Sequence, residues 1–375
     1  MSSPELRLAG LTMRELRIPL TVSFRHASAE RAESSSVWVE ATGPNLSRGC
    51  GEGCPRSYVT GETIDSALSF LEAYRESILH EVTSLASLRA WVSAERSAID
   101  ANPAAWCAIE LAVLHLLGLG RQATVERLLD LPALAGVFRY TAVLGDAEPA
   151  AFHALARRYF TQGFRDFKVK LSGDTDRDWS KLDVFKDQPP DGIRVRADAN
   201  NLWTSADQAM EGLAALRFPW FAVEEPIGRG QYADLARIAD GLGARIVLDE
   251  SLLRAEELQR LDGPPARWIA NVRVSKMGGL LRTLDVIRAA VDLGISLVVG
   301  AQVGETSLLT RAGLTAAQAA GTALVAQEGA FGTHLLSRDV CDPPLMFGYG
   351  GELRSDDVAW LRSPGLGLVA IYGPF

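Results

Sequence analysis

The chain has 375 residues, 47% of them hydrophobic, with a formal net charge of −8 and a pI of about 5.3. No long basic run is present, which argues against a nucleic-acid partner. No apolar stretch of about 18 residues escapes interruption by charge, and no basic-then-apolar segment opens the chain, so no membrane partner and a cytoplasmic location are expected. The length accommodates a (β/α)8 barrel of about 250 residues and a second domain of about 120. Of the cysteines Cys50, Cys54, Cys107 and Cys341 only the first two form a close pair, so a four-ligand zinc set is not expected.

Residues 5–20 alternate well enough for one strand or two, and SVWVEAT (36–42) reads as another. Between them SFRHASAERAESS (23–35) is polar and rich in small residues, which predicts a loop; its Arg25, His26 and Arg31 are candidates to meet an anionic substrate. The glycine- and proline-rich RGCGEGCPRSYVTGET (48–63) predicts turns. From Thr63 to about Ile99 the apolar residues Leu68, Leu71, Ile78 and Val82 fall at helical spacing. A second helix is predicted with Asn102 as N-cap, Pro103 at its first position and Gly118 as its stop. Trp106, Ile109, Val113, Leu116 and Leu117 form its apolar stripe, with His115 inside it as a packed or surface histidine. Strands followed by helices describe an α+β domain over residues 1–135.

From Phe138 the period changes. FRYTAVLG (138–145) reads as a strand and EPAAFHALARRYFTQG (148–163) as a helix ended by glycine. Further strands are expected near 165–171, 193–199, 219–225, 245–249, 268–274, 296–301 and 322–328, most separated by helical patterns. Eight alternating βα units over residues 136–344 predict an α/β fold, a closed (β/α)8 TIM barrel, with the tail 345–375 returning to the N-terminal domain.

Four of these segments, FRDFKVKL, IRVRADANN, FAVEEPI and RIVLDES, end in charge: Lys168 and Lys170, then Asp198, Glu224 and Asp249. From Lys170 onward these positions are 28, 26 and 25 residues apart, about one βα unit each. They therefore fall at equivalent places on neighbouring strands and converge at the C-terminal mouth of the barrel, where such folds keep their chemistry. A single strand-end acid is ordinarily a helix cap. Three converging carboxylates repel one another, and a hard divalent cation such as Mg²⁺ relieves this with oxygen ligands. Asp198, Glu224 and Asp249 are the candidate Mg²⁺ ligands. Lys170 is the candidate base, its pKa lowered by burial and a nearby cation.

With these residues placed, the chain resembles the enolase superfamily, in its muconate-lactonizing-enzyme subgroup, over essentially its full length. GEGCPRSYVTGET resembles the turn and loop of that group's capping domain. FKVKL resembles its Lys-x-Lys motif; RADANNLW, VEEPI and LDES resemble its metal-ligand motifs in order. NVRVSKMGG resembles the sixth-strand motif, VGAQVGETS the seventh-strand segment and SPGLG the C-terminal signature. The resemblance implies a capping α+β domain over a modified barrel. It also implies Mg²⁺ at the mouth, abstraction of the proton α to the carboxylate of a small molecule, an enediolate intermediate, and a dimeric or octameric homo-oligomer. Lys170 would be the base and Lys168 its supporting cation.

One departure matters. The sixth-strand motif of the group usually reads Asn-x-Lys, with that lysine facing the base across the substrate; here it reads Asn271, Val272, Arg273. Arginine keeps its proton and serves as a cation rather than a base. Lys276, three residues on, would not share the face of Arg273 in a continuing strand. Arg273 therefore predicts a one-base outcome, a cycloisomerase or syn-dehydratase like muconate cycloisomerase or o-succinylbenzoate synthase. The alternative is an N-acylamino-acid racemase or dipeptide epimerase, weakened by the absence of an Asp-x-Asp pair in residues 326–340. A non-catalytic metal-binding relative is the remaining alternative. Substrate-binding candidates are Asn200, His26, Lys276, Glu305 just past the seventh strand, and Glu328 after the eighth, with His334 close by in sequence.

Overall fold

A computed structural model describes residues 7–26, 29–186, 188 and 192–368; the side chains of residues 22–31 and 45 also lie outside the described residues, and with them the candidates Arg25, His26 and Arg31. The N-terminal part begins with β1 (Gly10–Leu16), β2 (Pro19–His26), β3 (Ala29–Glu33), β4 (Ser36–Thr42) and β5 (Arg48–Gly53). β1, β4 and β5 form one antiparallel sheet, and β2 and β3 pair as a separate hairpin. The hairpin occupies much of the segment expected to be a loop. Its ladder is made by backbone groups and needs no apolar alternation, the signal on which that expectation rested.

β5 likewise lies where turns were expected. Its glycines alternate, so Gly49, Gly51 and Gly53 share one face. That face lies directly on the helix α4 described below: a Cβ at these positions would come within 2.0, 1.8 and 1.9 Å of the carbonyl oxygens of Ala112, Ala108 and Ala104. The glycines are there for close approach between strand and helix.

The helical run expected from Thr63 is three helices, α1 (Ile64–Glu81), α2 (Leu85–Ala94) and α3 (Arg96–Ala101). Thr63 and Ser84 each open one through a capping box with the serine three residues on, which breaks the run at residue 84. α4 (Pro103–Arg121) follows, then the short α5 (Val125–Leu128). α4 passes the length and apolarity test for a membrane span but is buried inside the molecule. Asn102 holds its N-cap position without a side-chain bond; Glu62 accepts from Ala104 N and Ala105 N instead, at 2.9 and 2.8 Å. Gly118 does not stop the helix. It admits Gly365, whose Cα would lie 2.4 Å from a Cβ at 118.

The expected strand over 138–145 is broken at Tyr140 and Thr141 into β6 (Val137–Arg139) and β7 (Ala142–Leu144). β7 starts a parallel sheet. After it come α6 (Pro149–Thr161), β8 (Asp166–Lys170), α7 (Thr175–Leu182), β9 (Arg194–Asp198), α8 (Ala206–Ala215), β10 (Ala222–Glu224), α9 (Tyr232–Leu242) and β11 (Arg245–Leu248). Then follow β12 (Trp268–Val272), α10 (Val274–Met277), α11 (Leu280–Asp292), β13 (Ser296–Val299), α12 (Ser307–Ala320) and β14 (Leu324–Gln327). Among the described residues β7 to β14 make one eight-stranded sheet in sequential order, and its edges meet where Thr141 N donates to Gln327 O at 2.7 Å. This is a modified (β/α)8 barrel. In the parallel register Lys170 stands opposite Asp198 and Asp198 opposite Glu224, as the spacing predicted. The last strand, β15 (Glu352–Arg354), pairs with β6, which is what draws β6 out of the barrel.

Buried acids fasten the N-terminal part to the barrel. Glu110 on α4 accepts from Leu281 N at the start of α11 (2.9 Å), and Glu52 on β5 accepts from Thr306 N and Oγ1 at the start of α12. Burial raises Glu52 to about 8, and Glu62 and Glu110 to about 7. Each therefore holds a proton in the folded chain that the unfolded chain, with its ordinary carboxylate, has already lost at neutral pH. Their contribution is full below about 4.5 and fades as pH rises through 7 to 8. His115, buried and lowered to about 4, acts oppositely but only below its ordinary value of 6.5. Thermal stability should accordingly fall between pH 6.5 and 8, with a shallower slope for Glu52→Gln in thermal melts; a slope unchanged by the substitution would refute the assignment to Glu52.

Candidate active site

Period-2 geometry puts Lys168 and Lys170 on one face of β8, and both are buried at the mouth of the barrel. Lys168 Nζ donates to Glu224 Oε1 at 2.8 Å and lies 3.2 Å from Asp198 Oδ2 and 3.4 Å from Glu328 Oε2. Burial alone would lower its pKa, but these three carboxylates hold it well above the usual lysine range. Lys170 Nζ donates to Asn200 Oδ1 at 3.0 Å and stands 3.8 Å from Asp198 Oδ2. Its pKa is lowered, first by burial and then by Lys168 and Arg273, against the pull of Asp198 and Glu224. One lysine is thus a fixed cation and the other is moved toward the range of a working base.

Asp198, Glu224 and Asp249 come together as predicted, but not around an open space. Arg273, from the residue after β12, contacts Asp249 and reaches to 3.9 Å from Glu224 Oε1. Lys276 Nζ donates to Asp249 Oδ1 (2.8 Å), Asp249 O (2.7 Å) and Asn271 O (2.9 Å). The expectation that Arg273 and Lys276 face different ways assumed a continuing strand. β12 ends at Val272, and the turn of α10 brings Lys276 back to the same carboxylate. Lys276 therefore braces Asp249. With these cations between the acids, no three His, Cys, Asp or Glu side chains among the described residues lie close enough to hold an ion as they stand.

The donor set nevertheless fits a hard divalent cation. All three groups are carboxylates, and Glu224 Oε2 is buried with no hydrogen-bond partner. The Glu224 carboxyl is pushed up by burial and by Asp198, Glu328 and Asp249, against the pull of Lys168. An acid held back from ionising by neighbouring acids, with an unpartnered oxygen, is what such a cation relieves.

Among the substrate-binding candidates, Asn200 lies beside Lys170 and takes a left-handed φ of 45° that asparagine tolerates. Glu328 is paired with Lys168 and, at 3.2 Å, with Arg196. Glu305 lines the cavity at the mouth and accepts from Gln302 N at 2.6 Å, while Gln302 Oε1 accepts from Arg273 at 3.1 Å. Burial raises Glu305 to about 7. His334 stands farther out, its Nε2 3.1 Å from Phe347 O. Three participants were missed. Arg196 stands opposite Lys168 in the barrel interior, donates to Asp166 and Thr141 and forms an ion pair with Glu328; it shares the face of Asp198 by period 2, a signal present in RVRAD. Glu225 accepts from Asp249 N and Ser251 N, both at 2.7 Å, and so fixes the strand end that carries Asp249. Glu250 has a buried unpartnered oxygen and lines the cavity. Neither acid is distinguishable by letters from its neighbour in EE or DE.

Residues 151–370 match the family model described as Enolase C-terminal domain-like. A hydrophobic dipeptide epimerase of Enterococcus faecalis is 26% identical, with 83% of this chain and 86% of that protein aligned. An L-Lys-D/L-Arg epimerase of Methylococcus capsulatus is 29% identical over 97% of this chain and 99% of its own length. The crystal structure of a dipeptide epimerase from Methylococcus capsulatus, complexed with Mg and the dipeptide L-Arg-D-Lys, superposes with a TM-score of 0.81 at 27% identity, covering 97% of this chain and 99% of that one.

Proposed function

Because the chain belongs to the enolase superfamily, we propose that it is a Mg²⁺-dependent isomerase that removes the proton α to the carboxylate of an N-substituted amino acid and returns one to the same carbon. The observation that carries this is Lys170, a buried lysine with a lowered pKa, in register with the first of three carboxylates suited to a divalent cation. Mg²⁺ held by Asp198, Glu224 and Asp249 would supply the charge that makes the α-proton acidic. Lys170 accepts that proton, since burial, with Lys168 beside it, lowers its pKa from the usual lysine range and favours the neutral amine. Lys168 stays charged and holds Asp198, Glu224 and Glu328 in place. Arg273 gives a fixed positive charge for the developing oxyanion.

Isomerisation also needs a proton carrier across the mouth from Lys170, and Arg273 cannot exchange its proton. Glu305 is our candidate, because it lines the cavity past β13 and holds a proton near neutral pH. The names of the relatives favour this epimerase or racemase outcome over the cycloisomerase or dehydratase expected from Arg273 alone. Arg273 remains the one observation favouring a one-base reaction. Single enantiomers of N-acylamino acids and dipeptides, incubated in D₂O with Mg²⁺ and followed by chiral chromatography and mass spectrometry, separate the two. Deuterium uptake with inversion, lost in Glu305→Gln while uptake itself persists, supports the proposal. Uptake with retained configuration, or loss of water, supports the one-base reading.

A further inference from the structure

The carbonyl of Lys170 is held by a side chain rather than by the sheet. The ladder between β8 and β7 ends with Val169 opposite Leu144, one residue short of Lys170. Beyond that point Lys181 on α7 takes the place of a strand amide, its Nζ donating to Lys170 O at 3.0 Å. On the other side Leu171 N donates to Asp198 O at 3.0 Å. The peptide that joins Lys170 to Leu171 is thus fixed from both sides, by a helix and by the neighbouring strand.

Lys181 is fully buried, and its ammonium meets three oxygens, as many as it has protons to give. Besides Lys170 O these are Asp178 Oδ1 at 2.7 Å and Asp146 Oδ1 at 3.0 Å. Asp178, also buried, accepts from Ser172 N (3.0 Å), Ser172 Oγ (2.8 Å) and Gly173 N (3.1 Å). The pair therefore closes a ring on residues 170–173, the stretch where β8 gives way to the loop before α7. Asp146, after β7, lines the cavity at the mouth and is shared with Arg177 at 3.2 Å. Burying a charged pair is a poor way to gain stability, because desolvation offsets the attraction. What the pair does supply is direction, since a saturated ammonium leaves the Lys170 carbonyl a single place to lie.

Resting on the role proposed for Lys170, we infer that Lys181 is a positioning residue for the base. It fixes the Lys170 peptide, and with it the direction in which the Lys170 side chain leaves the strand, and it takes no part in the proton transfer. The two ends of Lys170 are held separately: its amine donates to Asn200 at the mouth, and its carbonyl accepts from Lys181 behind the strand end. A tilt of the Cα–Cβ direction is magnified along the side chain, and misplacing a reacting group by about 1 Å costs roughly 10²-fold in rate.

Single-enantiomer N-acylamino acids and dipeptides in D₂O with Mg²⁺ supply the test, with rate constants measured on the member of this panel that wild-type protein exchanges fastest. Lys181→Met should lower kcat for α-proton exchange by about 10²-fold. KM, and the Mg²⁺ affinity read by calorimetry, should stay within about twofold, because the aim of the base changes and the proposed ligands do not. Added to Lys170→Met, Lys181→Met should cause no further loss, because its effect passes through the base. Lys181→Met with Asp178→Asn removes the stranded charge while keeping an acceptor for Ser172 and Gly173, and should fold with the same loss in kcat. An unchanged kcat in a folded variant would overturn the inference and leave the enolisation reading standing. A further loss on top of Lys170→Met, a fall in Mg²⁺ affinity that matches the fall in kcat, or failure of both variants to fold would overturn it as well, each marking a general structural role. Absence of exchange of every member of the panel by wild-type protein would overturn both.

Discussion

Lys170→Met should slow α-proton exchange by about 10³-fold, the middle of what a positioned general base contributes. The effect is large because, among the described residues beside Lys170, none can take over from the same side. Lys168 is pinned as a cation by three carboxylates, and Asn200, the other group at the position, is no base. Mg²⁺ affinity, read by calorimetry, should not fall. Lys170 is not among the proposed ligands, and its ammonium stands 3.8 Å from Asp198, so its loss removes a competing positive charge. A variant that keeps more than a few per cent of wild-type exchange would show that the base lies elsewhere. One that loses Mg²⁺ binding would show that Lys170 acts by holding the ligands.

Arg311→Ala should cost about 3–5 kcal/mol of stability, as measured by urea unfolding at pH 7. Arg311 on α12 makes a two-pronged bond to Glu126 at the end of the N-terminal part (2.7 and 2.9 Å), and its Nε donates to Leu366 O at 3.0 Å. Both side chains are buried, and Thr315 completes the acid's bonding at 2.6 Å. The substitution leaves Glu126 charged and dry, whereas breaking the pair from both sides removes the stranded charge. Glu126→Met with Arg311→Met should therefore be more stable than Arg311→Ala alone. A double variant as unstable as the single would mean that packing rather than charge sets the cost.

What could be read from letters was whatever repeats with the fold. Lys170, Asp198 and Glu224 sit one βα unit apart, and the sheet register sets them side by side. What escaped depends on contacts between distant segments. The glycines of β5 look like turn residues until α4 lies on them, and Gly118 looks like a helix stop until Gly365 arrives against it. The hairpin of β2 and β3 is made by a backbone ladder that the polar letters of 23–35 do not announce. Lys276 was misjudged because its side-chain direction follows from where β12 ends, a boundary that one or two residues decide. Arg196 was overlooked although its parity with Asp198 was visible, because a buried arginine in a barrel interior runs against the usual rule for charged residues.

Lys170, beside a carboxylate-held Mg²⁺, is proposed to remove the proton α to a substrate carboxylate. The most direct measurement is deuterium uptake at the α-carbon of a panel of single-enantiomer N-acylamino acids and dipeptides in D₂O, by mass spectrometry, for wild-type protein with Mg²⁺, wild-type protein with EDTA, and Lys170→Met with Mg²⁺. Uptake is expected in the first sample and almost none in the other two. Uptake that survives EDTA, or that Lys170→Met supports at the wild-type rate, would contradict the proposal.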